Sequence, residues 1–169
     1  RQGDSHIPAE ELAEKTGIPV TETFAGKGSL PYDHPSNLGA TGATGTPGAN
    51  EFTSAADLII GIGTRYSDFT TASKTAFQNP DVKFININIA DFDSYKHCAL
   101  PLTGDAKVCL EELSVQLDGY KVSDEYKERA ASFNRSWDRQ VGEFYKESGA
   151  LPVSQAEVVG AVNEFAGPR

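Results

Sequence analysis

Apolar positions along the chain fall into two rhythms, and each predicts a different element. Asp57-Leu58-Ile59-Ile60-Gly61-Ile62-Gly63 is a short continuous apolar run closed by glycines, the pattern of a strand buried on both faces. Val82-Lys83-Phe84-Ile85-Asn86-Ile87-Asn88-Ile89 is a second such run, alternating in its second half. Thr71 to Gln78 between them is predicted as a short helix, which gives strand, helix and strand at βαβ spacing. Ala99 to Leu102 follows as a last short strand, and Gly104-Asp105 opens a helix with Leu110, Leu113 and Leu117 at i, i+3 and i+7. Upstream, Pro8 to Lys15 predicts a helix with Leu12 and Ala13 inward and Gly17 as its stop. Ile18 to Thr23 then reads as a strand. Gly26 to Gly48 carries six glycines with Pro31, Pro35 and Pro47, which predicts a long functional loop ended by a helix from Ala49 to Ala56. This order predicts the α/β class: an open parallel sheet flanked by helices.

A longer rhythm takes over after Leu117. Tyr126, Ala130, Phe133, Trp137, Val141 and Phe144 recur at steps of three and four, an amphipathic helix started near Ser123 and stopped by Gly149. Ser154-Gln155-Ala156-Glu157 is a capping box that announces a further helix with Val158, Val159, Val162 and Phe165. The chain therefore divides into an α/β domain, 1–117, and a helical connector, 118–169. The connector's apolar stripe needs something to pack on, either the core or a neighbouring domain outside this sequence; packing on the core, the favoured reading, would bury Trp137 with Phe133 and Val141 as neighbours.

Charge and composition exclude several function classes. Fifteen basic residues against 24 acidic ones give a net charge of −9 over 169 residues, a sign that repels nucleic acid and anionic lipid. No apolar run approaches the roughly 20 residues that span a bilayer, and Arg1 opens no basic-then-apolar leader. Cys98 and Cys109 are expected to be free structural thiols, which points to the cytoplasm. The sequence starts at Arg1 and holds no methionine, so it is expected to be a piece of a longer protein.

Candidate chemistry is sparse. Gly61-Ile62-Gly63-Thr64-Arg65 sits at the C-terminal end of a predicted strand, where open parallel sheets bind ligands and where glycine admits a phosphate to the backbone. Ser67 and Asp68 stand where a third glycine should fall, so a plain exit turn is the competing reading. Asp91 and Asp93 follow the next strand, where an acid either accepts a ribose hydroxyl or caps a turn. His6, His34 and His97 show no metal-ligand spacing, and no nucleophile elbow is present. The residues offer Gly61, Gly63, Thr64, Arg65 and Asp91 as cofactor contacts, no catalytic residue and no metal ligand.

Gly17-Ile18-Pro19-Val20, Gly26-Lys27-Gly28, Asp33-His34-Pro35, the run from Gly39 to Gly48, Ala49-Asn50 and the stretch from Ala56 to Arg65 together resemble the central domain of thiamine-diphosphate-dependent enzymes, over about residues 15 to 117. Gly63-Thr64-Arg65, Asp68-Phe69-Thr70-Thr71, Lys96-His97, Pro101-Leu102 and Gly104-Asp105-Ala106 look like the trihydroxycyclohexanedione hydrolases of inositol catabolism. Acetolactate-synthase-type chains, the alternative, usually carry I-D-I-D where this chain has Ile85-Asn86-Ile87-Asn88. The resemblance implies a Rossmann-like fold and a parent enzyme, an oligomer, that hydrolyses a C–C bond of a cyclic diketone. It also implies thiamine diphosphate and Mg²⁺ held between two flanking catalytic domains, through a glutamate and a Gly-Asp-Gly…Asn motif that this chain lacks. It implies a first sheet strand missing ahead of Arg1, no FAD, and a scaffold role for this piece. A free-standing nucleotide-binding module working through Gly61 to Arg65 is the reading from a different class.

Overall fold

A computed structural model describes residues 6–167. Thirteen short elements follow one another as helix and strand: α1 (His6–Thr16), β1 (Val20–Glu22), β2 (Asn37–Ala40), α2 (Pro47–Ala55), β3 (Leu58–Ile62), β4 (Lys83–Asn88), α3 (Asp91–Ser94), β5 (Leu100–Thr103), α4 (Ala106–Gln116), α5 (Asp124–Phe144) and α6 (Gln155–Ala166), with single 3₁₀ turns at Phe24–Gly26 and Lys96–Cys98. All strand pairs are parallel, so the fold is α/β with helix-flanked parallel sheets. The strands form two sheets, β1-β2 and β3-β4-β5. In the larger one Ile60 stands opposite Ile85, and Ile85 opposite Leu100.

One face of that sheet carries the apolar core. Side chains alternate along a strand, so Ile60, Ile85 and Ile87 share a face. Ile87 and Leu110 are fully buried there with Leu12, in a cluster that ties α1 and α4 to β4. Lys15 Nζ reaches the Ser114 carbonyl at 2.8 Å and joins the same two helices. A separate cluster of Leu38, Ala49, Phe52 and Ala130 binds β2, α2 and α5.

Two expectations fail, both where side chains overrule local pattern. Residues 71–78 are not helical: Ala72, Ser73 and Lys74 hold φ of 47°, 56° and 67°. The reason is Phe77, which turns inward onto Phe84 at 5.0 Å and His97 at 5.2 Å. With Tyr66 these rings cover the second face of the sheet, in place of a helix. The glycine-rich loop, in turn, contains strand β2, because Asn37 anchors it: its Nδ2 donates to the Pro31 carbonyl at 3.1 Å and its Oδ1 accepts from Gly39 N at 2.8 Å. Caps legible in the sequence appear as read. Asp105 caps α4, Ser123 caps α5, and the α2 helix starts two residues early at Pro47 under a Thr46 cap.

The α5 stripe packs on α2 and β2 through its first half, and its last member, Phe144, is exposed. Tyr126 packs tilted and Phe133 edge-on against Phe52 at 5.1 and 6.0 Å, and Asn134 Nδ2 donates to the Asn37 carbonyl at 3.0 Å. Trp137 is half-buried and Phe144 exposed, so full burial of Trp137 does not hold. The α6 helix keeps its capping box: Ser154 Oγ accepts from Glu157 N at 3.2 Å and Glu157 Oε2 from Ser154 N at 2.9 Å. Glu157 Oε1 also takes the Ser148 N–H, which links the box to the segment after α5.

Those donors, Ser148 N–H foremost and Ser154 N–H next, hold the Glu157 carboxyl down to about 2 from its ordinary 4.5. A depressed carboxyl stabilises the fold above its unfolded value and loses that contribution as pH falls through the folded one. Ellipticity from α6 should therefore weaken between about pH 4.5 and 2. Glu157→Gln should already be weakened at pH 7 and show no such acid step. Identical acid profiles for the two proteins would refute the assignment.

Candidate functional site

The C-terminal ends of β1, β3 and β4 meet at one cleft of about 870 Å³. Thr23, Phe24 and Ala25 form one wall, Gly63, Thr64 and Arg65 the second, and Asn88 to Ala90 with Asp93 the third. Strand ends in a parallel sheet gather the unpaired backbone groups of their exit turns, which is why such clefts lie there.

The first wall is fixed by Glu22, whose role no local signal announces. Its side chain is fully buried, and Oε1 accepts from Gly28 N at 2.8 Å, Ser29 N at 2.8 Å and Leu30 N at 3.3 Å. Lys27 Nζ stands 3.6 Å from Oε2. This carboxylate folds the Gly26-Lys27-Gly28 loop back on β1, and Phe24 packs edge-on against Phe69 across the cleft at 6.2 Å.

Sequence-picked residues divide in the structure. Gly63, Thr64 and Arg65 line the cleft. Gly61 is buried below it, and a Cβ there would collide with Tyr66 Oη and Asn86 Oδ1, so its lack of a side chain makes room for the protein's own tyrosine. Asp91 is exposed at the start of α3, outside the cleft; Asp93 lines it and pairs with Lys96 Nζ at 2.7 Å. Among the described residues Arg65 has no carboxylate within ion-pair distance. Partial burial against Tyr66, Phe77 and Phe84 first, then Lys96 and Lys74, lowers the pKa of His97.

The fold brings together three groups that sequence spacing does not connect. Glu10 and Glu14, one turn apart on α1, and His34 offer ligand atoms within 4.8 Å of one another. His34 Nδ1 accepts the Ser36 N–H at 3.1 Å, so its proton sits on Nε2, a buried donor without a partner. An Nε2 that carries hydrogen has no lone pair for a metal, and none of the three lines the cleft. The His6 side chain lies outside the described residues. Cys109 is partly buried, Cys98 is exposed, and both are free. No described helix is long and apolar enough to cross a membrane.

Residues 2–113 match the family described as thiamine pyrophosphate enzyme, central domain. The chain belongs to that family. Among curated relatives it is 43% identical over 131 residues to 3D-(3,5/4)-trihydroxycyclohexane-1,2-dione hydrolase of Clostridium perfringens, covering 78% of this chain and 20% of the relative. It is 49% identical over 126 residues to the protein of that name in Listeria monocytogenes, covering 75% and 19%. For the one in Clostridium tetani the identity is 36% over 190 residues, covering 98% and 29%. The chain thus spans about a fifth to under a third of the length of these relatives. In the cleft, Arg65 has no carboxylate within ion-pair distance among the described residues, Asp93 is paired with Lys96, and Thr23, Thr64, Ser67 and Thr70 line the same walls.

Proposed function

We propose that this chain is the non-catalytic central domain of a longer thiamine-diphosphate-dependent hydrolase that opens a cyclic diketone by C–C cleavage, and that it holds the flanking catalytic domains in register. The identity of 36–49% to trihydroxycyclohexanedione hydrolases carries the reading. The geometry supports a scaffold role, because the cleft mouth is rimmed by large apolar side chains. Phe24 and Ile89 line it at 79% and 78% exposure, and Phe92 stands beside Asp91 at 80%. Exposed patches of this kind mark contact surfaces. Val158, Val162 and Phe165 leave α6 with an apolar face as well.

The described residues do not fit Mg²⁺ and a diphosphate. Mg²⁺ asks for clustered oxygen ligands, whereas the cleft supplies a single carboxylate, already paired. In this reading the cofactor and its metal are held by other parts of the longer, cytoplasmic, oligomeric protein. Gly63, Thr64 and Arg65 are contacts for an anionic group brought to the cleft. The division into an α/β domain, 1–117, and a connector, 118–169, belongs to the same proposal, as does a further parallel strand supplied from outside the chain. Support for that strand is that β1 and β3 each pair on one side only, although both end at the same cleft.

Titration calorimetry of the chain with thiamine diphosphate and Mg²⁺ should show no saturable heat, while the longer protein binds both and hydrolyses the diketone. Saturable binding to the chain at micromolar concentration would overturn the proposal.

A further inference from the structure

The turn that carries Arg65 is gripped from below at three successive residues. Asn88 Nδ2 donates to the Thr64 carbonyl at 3.1 Å, Lys96 Nζ donates to the Arg65 carbonyl at 2.6 Å, and Tyr66 Oη donates to Asn86 Oδ1 at 2.6 Å. Asn86 and Asn88 lie two apart on β4, hence on one face, and both are buried. Each carboxamide works at both ends. Asn86 Nδ2 donates to the Lys96 carbonyl at 3.0 Å, and Asn88 Oδ1 accepts the Ala90 N–H at 3.0 Å. Lys96, itself held by Asn86, carries the grip on to Asp93.

Only an amide can do this. A carboxylate at either position would still accept from Tyr66 or Ala90, but it would face the Lys96 or Thr64 carbonyl oxygen with no hydrogen to give. An apolar side chain at either position would leave two polar groups without that partner. The turn needs the grip because its ends are left-handed: φ is 61° at Gly63 and 49° at Tyr66, and the second of these is unfavourable for a residue with a Cβ.

We infer that Asn86 and Asn88 are positioning residues, whose carboxamides fix Thr64–Tyr66 so that the unpaired Arg65 guanidinium is presented at the cleft to an anionic group. The presentation half rests on the cleft being a working contact surface of the longer enzyme; the grip itself rests on the hydrogen bonds alone. A guanidinium on a loose turn would spend most of its rotamers elsewhere, so fixing the backbone on both sides of residue 65 lowers the entropy lost when it engages.

Two measurements test this separately. In the 169-residue chain, amide hydrogen exchange across 63–67 should quicken by about tenfold or more in Asn88→Asp and Asn86→Asp. Tyr66→Phe removes one hydroxyl with little risk to folding and should quicken it less. In the longer protein, Asn88→Asp should lower kcat/KM as Arg65→Ala does, and the double variant should be no worse than the worse single one. Unchanged exchange in all three variants overturns the grip. Losses that multiply in the double variant, or an Arg65→Ala enzyme with full activity, overturn the presentation. A wild-type longer protein without hydrolase activity sinks the proposed function, and the exchange result still decides the grip.

Discussion

Glu22→Ala is expected to destabilise the chain by about 3 kcal/mol, because it strands three backbone donors that a buried carboxylate now satisfies. Gly28, Ser29 and Leu30 turn their N–H groups onto one oxygen, Oε1, and the Glu22 side chain is fully buried. The Lys27 contact at 3.6 Å adds little, since Lys27 is well exposed and solvent screens it. Glu22→Gln keeps an oxygen for the three donors and should cost about 1 kcal/mol, roughly the difference between a charged and a neutral acceptor. Urea melts of the two variants provide the comparison. The Ala variant should also lose the Phe24–Phe69 contact across the cleft, which is 6.2 Å between centroids. Equal, small losses in both variants would mean that the loop holds its shape without the carboxylate.

Leu110→Ala is expected to cost about 2–5 kcal/mol, the range for a leucine removed from a core that cannot collapse onto the gap. Leu110 is 0% exposed and is packed between Leu12 of α1 and Ile87 of β4, so the cavity opens where two helices meet the sheet. For a domain of this length each kcal/mol lowers the melting temperature by about 2–4 °C, so the fall is on the order of 10 °C. Val115→Ala on the same helix is the control: Val115 is 70% exposed, and the change should stay within about 0.5 kcal/mol. If the two variants melt together, the cluster of Leu12, Ile87 and Leu110 is not the core of this sheet.

Elements whose cause is local were legible in the sequence. The run at 58–62 is a strand of nearly continuous apolar residues, and 83–88 alternates Ile85 and Ile87 with asparagines, both local patterns that favour a strand. Caps were legible for the same reason: Asp105, Ser123 and Ser154 bind N–H groups two or three residues ahead. The segment at 71–78 departs from its helical pattern where Phe77 meets Phe84 and His97, residues further along the chain that no local pattern reveals. The candidate site divided along the same line. Gly63, Thr64 and Arg65 line the cleft because they follow a strand's C-terminal end, a place that sequence can locate. The roles of Glu22, Asn86 and Asn88 are not legible in the sequence, since the loop and turn they hold lie 6 to 24 residues away from them.

Sequence by itself determined the α/β class, the strands at 58–62 and 83–88, the capped helices after residue 104 and the central-domain kinship, since hydrophobic period, capping and motif order are properties of neighbours along the chain. Tertiary structure alone decided that the β3–β4–β5 sheet has one helical face and one aromatic face, and that the α5 stripe meets Phe52 through Tyr126 and Phe133. It also decided that Gly61 makes room for Tyr66 and that Asp93, rather than Asp91, reaches the cleft. Each of these depends on a hydrogen bond or a ring contact that closes only after distant segments meet, and no local free-energy preference encodes which partner a buried polar group will find.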